Sequence, residues 1–207
     1  MNTVQAAYDK VASEYADKFF HELKEKPLDC ALLEMFSRRI AQEGLVCEVG
    51  CGPGQVAVYL SGLGVKVYGI DISEKMVEMA HHLSPGIHFE QWSMLSMPAK
   101  DNSLAGIVGF YAIVNLTKQE IEQAMKEFYR TMRSGAPILL SFHIGDETMH
   151  VNEFLGKPAA LDFFFYPVET IKGMLEQAGF RVDEAVLRSP YAGVEHPSQR
   201  AYLFARK

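Results

Sequence analysis

The feature that most constrains the fold is a glycine-rich turn between two apolar segments. Residues 45–54 read LVCEVGCGPG, and a second apolar run, residues 65–70, ends at Asp71. A short apolar run bounded by glycine is typical of a strand that is buried on both faces of a parallel sheet. Gly50, Gly52 and Gly54 have no Cβ atom, so the chain can turn tightly there and approach a ligand closely. This order predicts an α/β sheet with a ligand site at the turn.

The position of Asp71 indicates which part of a ligand lies near the turn. Asp71 stands 21 residues after Gly50, close to the roughly 20-residue distance at which an acidic residue binds ribose hydroxyls in dinucleotide folds. A carboxylate accepts hydrogen bonds from both hydroxyls and repels a 2′-phosphate. We therefore expect a ligand with an unphosphorylated ribose.

The spacing of the glycines distinguishes between nucleoside ligands. The third glycine comes one residue earlier than in the dinucleotide pattern G-x-G-x-x-G, and Gln55 stands where that pattern has its last glycine. Glu48 adds a carboxylate two residues before the first glycine, which would repel a pyrophosphate and attract an ammonium or sulfonium group. We therefore expect a cationic cofactor, and an NAD-dependent oxidoreductase is the less favoured alternative.

The rest of the chain alternates between helical and strand patterns, which predicts a doubly wound parallel sheet. Helical spacing before the turn is interrupted at Pro27, and Ser73 and Thr117 have the character of helix N-caps. Glu120, three residues after Thr117, completes a capping-box pattern. The predicted helices are 55–63, 73–82, 117–132 and 168–178, and the later strands are 87–91, 104–110, 137–143, 181–187 and 201–205.

The motif E-x-G-x-G-x-G, followed by G-I-D, resembles the first two motifs of class I S-adenosylmethionine-dependent methyltransferases, especially small bacterial enzymes that act on small molecules. The segments YDKVASEYADKF, DNSLAGIVGFYAIVNLTKQE and EQAGFRV also have counterparts there. The resemblance implies a Rossmann-like seven-stranded sheet, mostly parallel with an antiparallel last strand and with helices on both faces. It also implies S-adenosyl-L-methionine as cofactor, S-adenosyl-L-homocysteine as product, and in-line transfer of a methyl group to a small-molecule acceptor.

We expect a single domain over residues 1–207 with four parts. Residues 1–43 form an N-terminal helical arm over the cofactor, and residues 44–143 form the cofactor-binding core. Residues 144–167 are too irregular for a helix and unusually aromatic, and we interpret them as an acceptor-side lid. Residues 168–207 supply a C-terminal helix and a hairpin.

Several residues near the strand ends are expected to contact the cofactor. The family usually has an acidic residue after the third strand, but this chain has Ser93, beside which Trp92 or Met94 could cover the adenine ring. Helix packing is an equal alternative for Tyr15, and core packing for Trp92. The predicted cofactor-binding residues are Tyr15, Glu48, Gly50, Cys51, Gly52, Gly54, Asp71, Ile72, Met76, Trp92, Ser93, Met94 and Phe110.

Two residues are candidates for a catalytic role. Tyr111 follows the strand that lies beneath the sulfonium in this family, and its hydroxyl or ring face could point to the methyl group. His143 ends a later strand and has a side chain suited to proton transfer, with a structural role as the alternative. Asn115 stands where the family often has a histidine, and His150 and Asp162 in the lid are weaker candidates.

Charge and composition exclude several classes of function. The net charge is −6, and no dense cluster of Lys and Arg is present, which argues against a nucleic-acid substrate. Three cysteines without metal-like spacing, no signal peptide and no long apolar run predict a cytoplasmic protein without a metal site or a membrane span. We expect a monomer or homodimer, and a non-catalytic cofactor-binding module acting with a partner is an alternative to the enzyme.

Overall fold

A computed structural model describes residues 3–40 and 44–207, so residues 1–2 and 41–43 of the predicted arm lie outside the described residues. The helices are α1 (Thr3–Phe19), α2 (Pro27–Arg38), α3 (Gln55–Gly62), α4 (Glu74–Leu83), α5 (Lys118–Thr131) and α6 (Val168–Ala178), with a 3₁₀ helix at Glu22–Glu25. Within the described ranges, every helix is too short or too polar to cross a lipid bilayer.

Within residues 3–40 and 44–207, nine strands form two sheets. The strands are β1 (Val46–Val49), β2 (Val67–Asp71), β3 (His88–Gln91), β4 (Gly106–Phe110), β5 (Pro137–His143), β6 (Thr148–Phe154), β7 (Lys157–Phe164), β8 (Arg181–Arg188) and β9 (Arg200–Arg206). The larger sheet has seven strands in the order β3-β2-β1-β4-β5-β9-β8. The first five are parallel, and β9 runs antiparallel to both of its neighbours. The predicted fold class is therefore confirmed.

Alternate residues of the central strands face two different cores, because successive side chains of a strand point to opposite faces. Cys47 and Ile107 pack with the apolar faces of α5 and α6. Val46 and Val108 pack on the other side with residues of α2 and α3. The sheet is therefore covered by helices on both faces, and its strand order reverses between β1 and β4, where open α/β sheets bind ligands.

The predicted helix starts are confirmed. Ser73 Oγ accepts a hydrogen bond from the Met76 amide at 3.1 Å, and Thr117 and Glu120 form a complete capping box at the start of α5. The predicted break at Pro27 is also present, because proline occupies the first turn of α2, where its missing amide proton costs no helical hydrogen bond.

The segment after β5 is not helical, as expected, but it has a regular structure that the sequence analysis did not predict. Strands β6 and β7 form an antiparallel hairpin with Leu155 and Gly156 as its two-residue loop. Both loop residues have positive φ, at 52° and 76°, as the tightest hairpin turns require. Leucine rarely adopts this conformation, so the sequence carries little turn signal here. The hairpin packs on α1, where Leu161 contacts the apolar cluster that contains Val11.

Candidate functional site

A cavity of about 480 Å³ lies at the carboxyl ends of β1, β2 and β4. Helix α1, the segments that follow β3 and β4, and the β6-β7 hairpin form other walls of the cavity. Of the predicted site residues, the cavity is lined by Tyr15, Gly50, Gly52, Asp71, Ile72, Met76, Trp92, Ser93, Met94, Phe110 and Tyr111. Trp92 is 45% exposed at this cavity, which excludes plain core packing for its ring.

Backbone conformation explains why glycine occurs at the turn after β1. Gly50 and Gly52 have φ values of 62° and 52° and line the cavity. A Cβ atom on Gly50 would lie 2.8 Å from the Cβ of Ala112, too close for a normal contact. The main chain is therefore exposed to a ligand at this turn because both residues lack side chains.

Asp71 is held in place by the backbone around it. Its Oδ2 accepts a hydrogen bond from the Gly52 amide at 2.9 Å, and its Oδ1 accepts one from the Ser73 amide at 2.8 Å. Burial raises the pKa of the carboxyl, while these hydrogen bonds act in the opposite direction. Each carboxylate oxygen can accept a second hydrogen bond, so the group remains able to bind a pair of hydroxyls in the cavity.

Three residues predicted to contact the cofactor do not line the cavity. Glu48 is buried, its Oε2 accepts a hydrogen bond from the Ala57 amide at 2.7 Å, and burial raises the pKa of its carboxyl well above the usual range. Cys51 is buried behind the turn. Gly54 is the N-cap residue of α3 and has a φ of 88°, and a Cβ atom there would lie 2.6 Å from the Phe89 ring. These residues shape the turn from behind.

His143 also does not line the cavity. Its ring lies between Tyr111 and Phe165, with ring centroids 5.1 and 5.3 Å away, and its Nδ1 is 2.8 Å from Ser198 Oγ. Burial, reinforced by the nearby Arg200, lowers the pKa of the imidazole to about 3. His143 is therefore a weak base away from the ligand space, as its structural interpretation implies.

Tyr111 lines the cavity in an unusual backbone conformation, with a φ of 54°. Non-glycine residues in this region cluster at functional sites, because the surrounding structure must compensate for the strain. Its hydroxyl is 3.0 Å from the hydroxyl of Tyr202, which donates to Asp29 Oδ1 at 2.8 Å. Burial raises the pKa of the Tyr111 hydroxyl. The hydroxyl thus belongs to a buried series of hydrogen bonds, and the aromatic ring is the part of Tyr111 that faces the cavity.

The far end of the cavity contains residues that sequence reasoning missed or ranked low. The Tyr8 hydroxyl donates to Asn115 Oδ1 at 2.8 Å, and Asn115 Nδ2 donates to the Asp162 carbonyl oxygen at 2.8 Å. These bonds join α1, the loop after β4 and strand β7. Tyr8 and Tyr15 are seven residues apart, about two helical turns, and this spacing was the available signal that both rings share one face.

The charges of the cavity test whether it suits the expected cofactor. Its described lining residues include the carboxylates of Asp71, Glu120 and Asp162, but neither lysine nor arginine. A diphosphate would therefore have no cationic side chain to bind, whereas a sulfonium would meet favourable charge and aromatic faces. Since Asp71 is also placed to accept bonds from a ribose, the residues present fit S-adenosylmethionine.

Comparisons with known proteins agree with this geometry. A family model described as Methyltransferase domain matches residues 46–135. The chain is 26% identical over 172 residues to malonyl-[acyl-carrier protein] O-methyltransferase of Enterobacter lignolyticus, covering 75% of this chain and only 64% of that protein. It is also 26% identical over 191 residues to an uncharacterized methyltransferase of Oceanobacillus iheyensis, covering 86% of this chain and 80% of that protein.

Solved structures show the same fold. Magnesium protoporphyrin IX methyltransferase from Synechocystis PCC 6803, solved with bound S-adenosylmethionine, superposes with a TM-score of 0.71 at 16% identity. The superposition covers 100% of this chain and 98% of that one. The glycine turn, Asp71 and these comparisons lead to one conclusion: residues 46–135 match a methyltransferase domain, and the residues of the cavity fit S-adenosylmethionine.

Proposed function

We propose that the protein transfers a methyl group from S-adenosylmethionine to a small-molecule acceptor by in-line displacement. The observation that carries this proposal is the extent of the cavity, which continues from Asp71 to His150 and Asp162 of the hairpin. Because Asp71 is the expected ribose ligand, the space at the hairpin lies beyond the cofactor and is available to a second molecule.

S-adenosylmethionine, when bound, supplies a methyl group already activated on a positively charged sulfur. The protein's contribution is therefore mainly to orient the reactants and to exclude water. Asp71 and the exposed backbone of Gly50 and Gly52 would hold the cofactor. The rings of Tyr15 and Tyr111 supply faces that favour a cation and keep water away.

The walls of the cavity favour a small acceptor over a macromolecule. The hairpin is bonded to the loop after β4 through the Phe164 amide and the Val114 carbonyl oxygen, 2.7 Å apart. Tyr8 and Asn115 join helix α1 to the same loop. A polymer would need an open groove, whereas these bonds enclose the acceptor end on two sides. The net charge of −6 is a further argument against nucleic acid.

Calorimetry and product analysis test this function. We expect S-adenosylhomocysteine to bind to the purified chain and NAD not to bind under the same conditions. With methyl-labelled S-adenosylmethionine and a mixture of small metabolites, labelled small molecules should form. The proposal is wrong if S-adenosylhomocysteine does not bind, or if label is transferred only to protein or nucleic acid.

A further inference from the structure

His150 and Asp162 form a hydrogen-bonded pair at the hairpin end of the cavity. They are directly opposite each other in the β6-β7 register, and His150 Nδ1 is 2.7 Å from Asp162 Oδ1. Both side chains line the cavity and are about half exposed, at 55% and 52%. A carboxylate that is hydrogen-bonded to one ring nitrogen fixes the tautomer of the histidine. The other ring nitrogen can then exchange a proton with a ligand.

The second nitrogen of His150 is weakly held. Its Nε2 is 3.2 Å from Asn152 Oδ1, a longer contact than the one to Asp162, and an incoming hydroxyl or amine could replace it. The hydrogen bonds to Asp162 and Asn152 raise the pKa of His150 above its usual value. Asn115 connects the pair to the reaction end of the cavity, because it lines the cavity and its side chain binds the Asp162 carbonyl oxygen.

Charge at this end of the cavity disfavours an anionic acceptor. His150 must be neutral to accept a proton, so the carboxylates of Asp162 and Glu120 leave this end of the cavity with a negative formal charge. Glu120 Oε2 already accepts two bonds from Thr117, so that oxygen is engaged at the start of α5. Among the described lining residues there is no lysine or arginine to bind a carboxylate or phosphate.

We propose that the acceptor is an uncharged or positively charged molecule whose hydroxyl or amine binds to the His150–Asp162 pair, with His150 as the general base. This inference depends on the methyl transfer proposed above. The acceptor oxygen or nitrogen forms a bond to the methyl carbon. The bond between that carbon and the cofactor's sulfur breaks with its electrons remaining on sulfur, and the acceptor's proton moves to His150 Nε2.

The first experiment sorts acceptors by charge. Pools of neutral phenols and alcohols, of amines, and of carboxylic and phosphoric acids are each incubated with the chain and methyl-labelled S-adenosylmethionine. We expect labelled products from the neutral or amine pools. Label only from the acid pool overturns the proposed acceptor class while leaving methyl transfer intact. If S-adenosylhomocysteine binds but no pool is labelled, transfer to a small molecule is itself wrong.

The second experiment tests the base with the best acceptor found. His150→Gln should lower kcat about 100-fold or more, within the range for loss of a general base, and should abolish the imidazole inflection in the pH profile of kcat. Asp162→Asn should move that inflection to lower pH, because the carboxylate stabilises the protonated ring. A His150→Gln variant with unchanged kcat and pH profile overturns the proposed base.

A matched control separates this effect from a change in folding or in cofactor binding. His88 and Glu90 form a similar exposed pair, with Nε2 and Oε1 2.8 Å apart, outside the cavity. His88→Gln should leave kcat and the pH profile unchanged. His150→Gln should keep the wild-type melting temperature and its affinity for S-adenosylhomocysteine. A large loss of that affinity would assign His150 to cofactor binding and overturn the inference.

Discussion

The two ends of the cavity are built in different ways. At the cofactor end, Gly50, Gly52 and Asp71 belong to one strand-turn-helix-strand unit, and the contact between Gly52 and Asp71 spans 19 residues. At the acceptor end, the bond from Tyr8 to Asn115 spans 107 residues. The cofactor end is therefore a product of local chain geometry, whereas the acceptor end is assembled from three distant segments.

This difference separates a site that depends on the backbone of a local motif from one that depends on individual side chains. Under the proposed function, backbone amides and the Asp71 carboxylate would hold the cofactor, so most side chains at this end could vary without changing cofactor affinity. The acceptor end depends on individual side chains in a helix, a loop and a hairpin, and loops and added segments commonly carry specificity on a constant scaffold. Changes at the two ends should consequently have different effects.

The largest expected effect is at the cofactor end. Asp71→Ala removes the carboxylate that would bind the ribose, and hydrogen bonds to a charged group contribute about 1.5–3 kcal/mol. We expect affinity for S-adenosylhomocysteine to fall about 10- to 150-fold, measured by calorimetry. Asp101→Ala, which removes an exposed carboxylate that pairs with Arg130, is the control and should leave the affinity unchanged. Wild-type affinity in Asp71→Ala would contradict the ribose assignment.

The same contrast explains how much could be predicted from the sequence. The position of Asp71 at the cavity followed from its distance to the glycine turn, and the capping box of α5 followed from residues three apart. Glu48 lies away from the cavity, and strand spacing does not reveal that its side chain turns to the Ala57 amide. The hairpin was missed because Leu155 adopts a positive φ that its type does not signal. Contacts set by tertiary packing left no local pattern.

Acid should change the stability of the folded state in opposite directions at His143, which lies behind Tyr111, and at Asp71, which lies at the cofactor end. Burial raises the pKa of Asp71, so acidification favours the folded state there, whereas the lowered pKa of His143, about 3, has the reverse effect. Unfolded histidine takes up a proton below about pH 6.5, while His143 stays neutral in the fold. The contribution of neutral His143 to the free energy of unfolding is therefore present above that pH and falls by about 2 kcal/mol at pH 5.

Urea unfolding at pH 7 and pH 5 measures this difference. The free-energy gap between wild type and His143→Gln should narrow by about 2 kcal/mol on going to pH 5. Ser198→Ala is the control, because it removes the 2.8 Å partner of the ring but keeps the imidazole. The difference in the free energy of unfolding between Ser198→Ala and wild type should change little with pH. A constant gap for His143→Gln would show that the ring is protonated in the folded state.

The smallest effect should come from the bond that joins α1 to the acceptor end. Tyr8→Phe removes one neutral hydrogen bond to Asn115, which costs about 0.5–1.5 kcal/mol of stability, and should speed hydrogen exchange in α1 and the β6-β7 hairpin. Tyr191→Phe removes a similar bond to the Leu28 amide and should leave that exchange unchanged. Affinity for S-adenosylhomocysteine should remain within about threefold of wild type in both variants, because neither change touches Asp71 or the glycine turn. If Tyr8→Phe lowered the affinity for S-adenosylhomocysteine as much as Asp71→Ala does, the two ends of the cavity would be energetically coupled. A hydrogen bond at the acceptor end would then control cofactor binding.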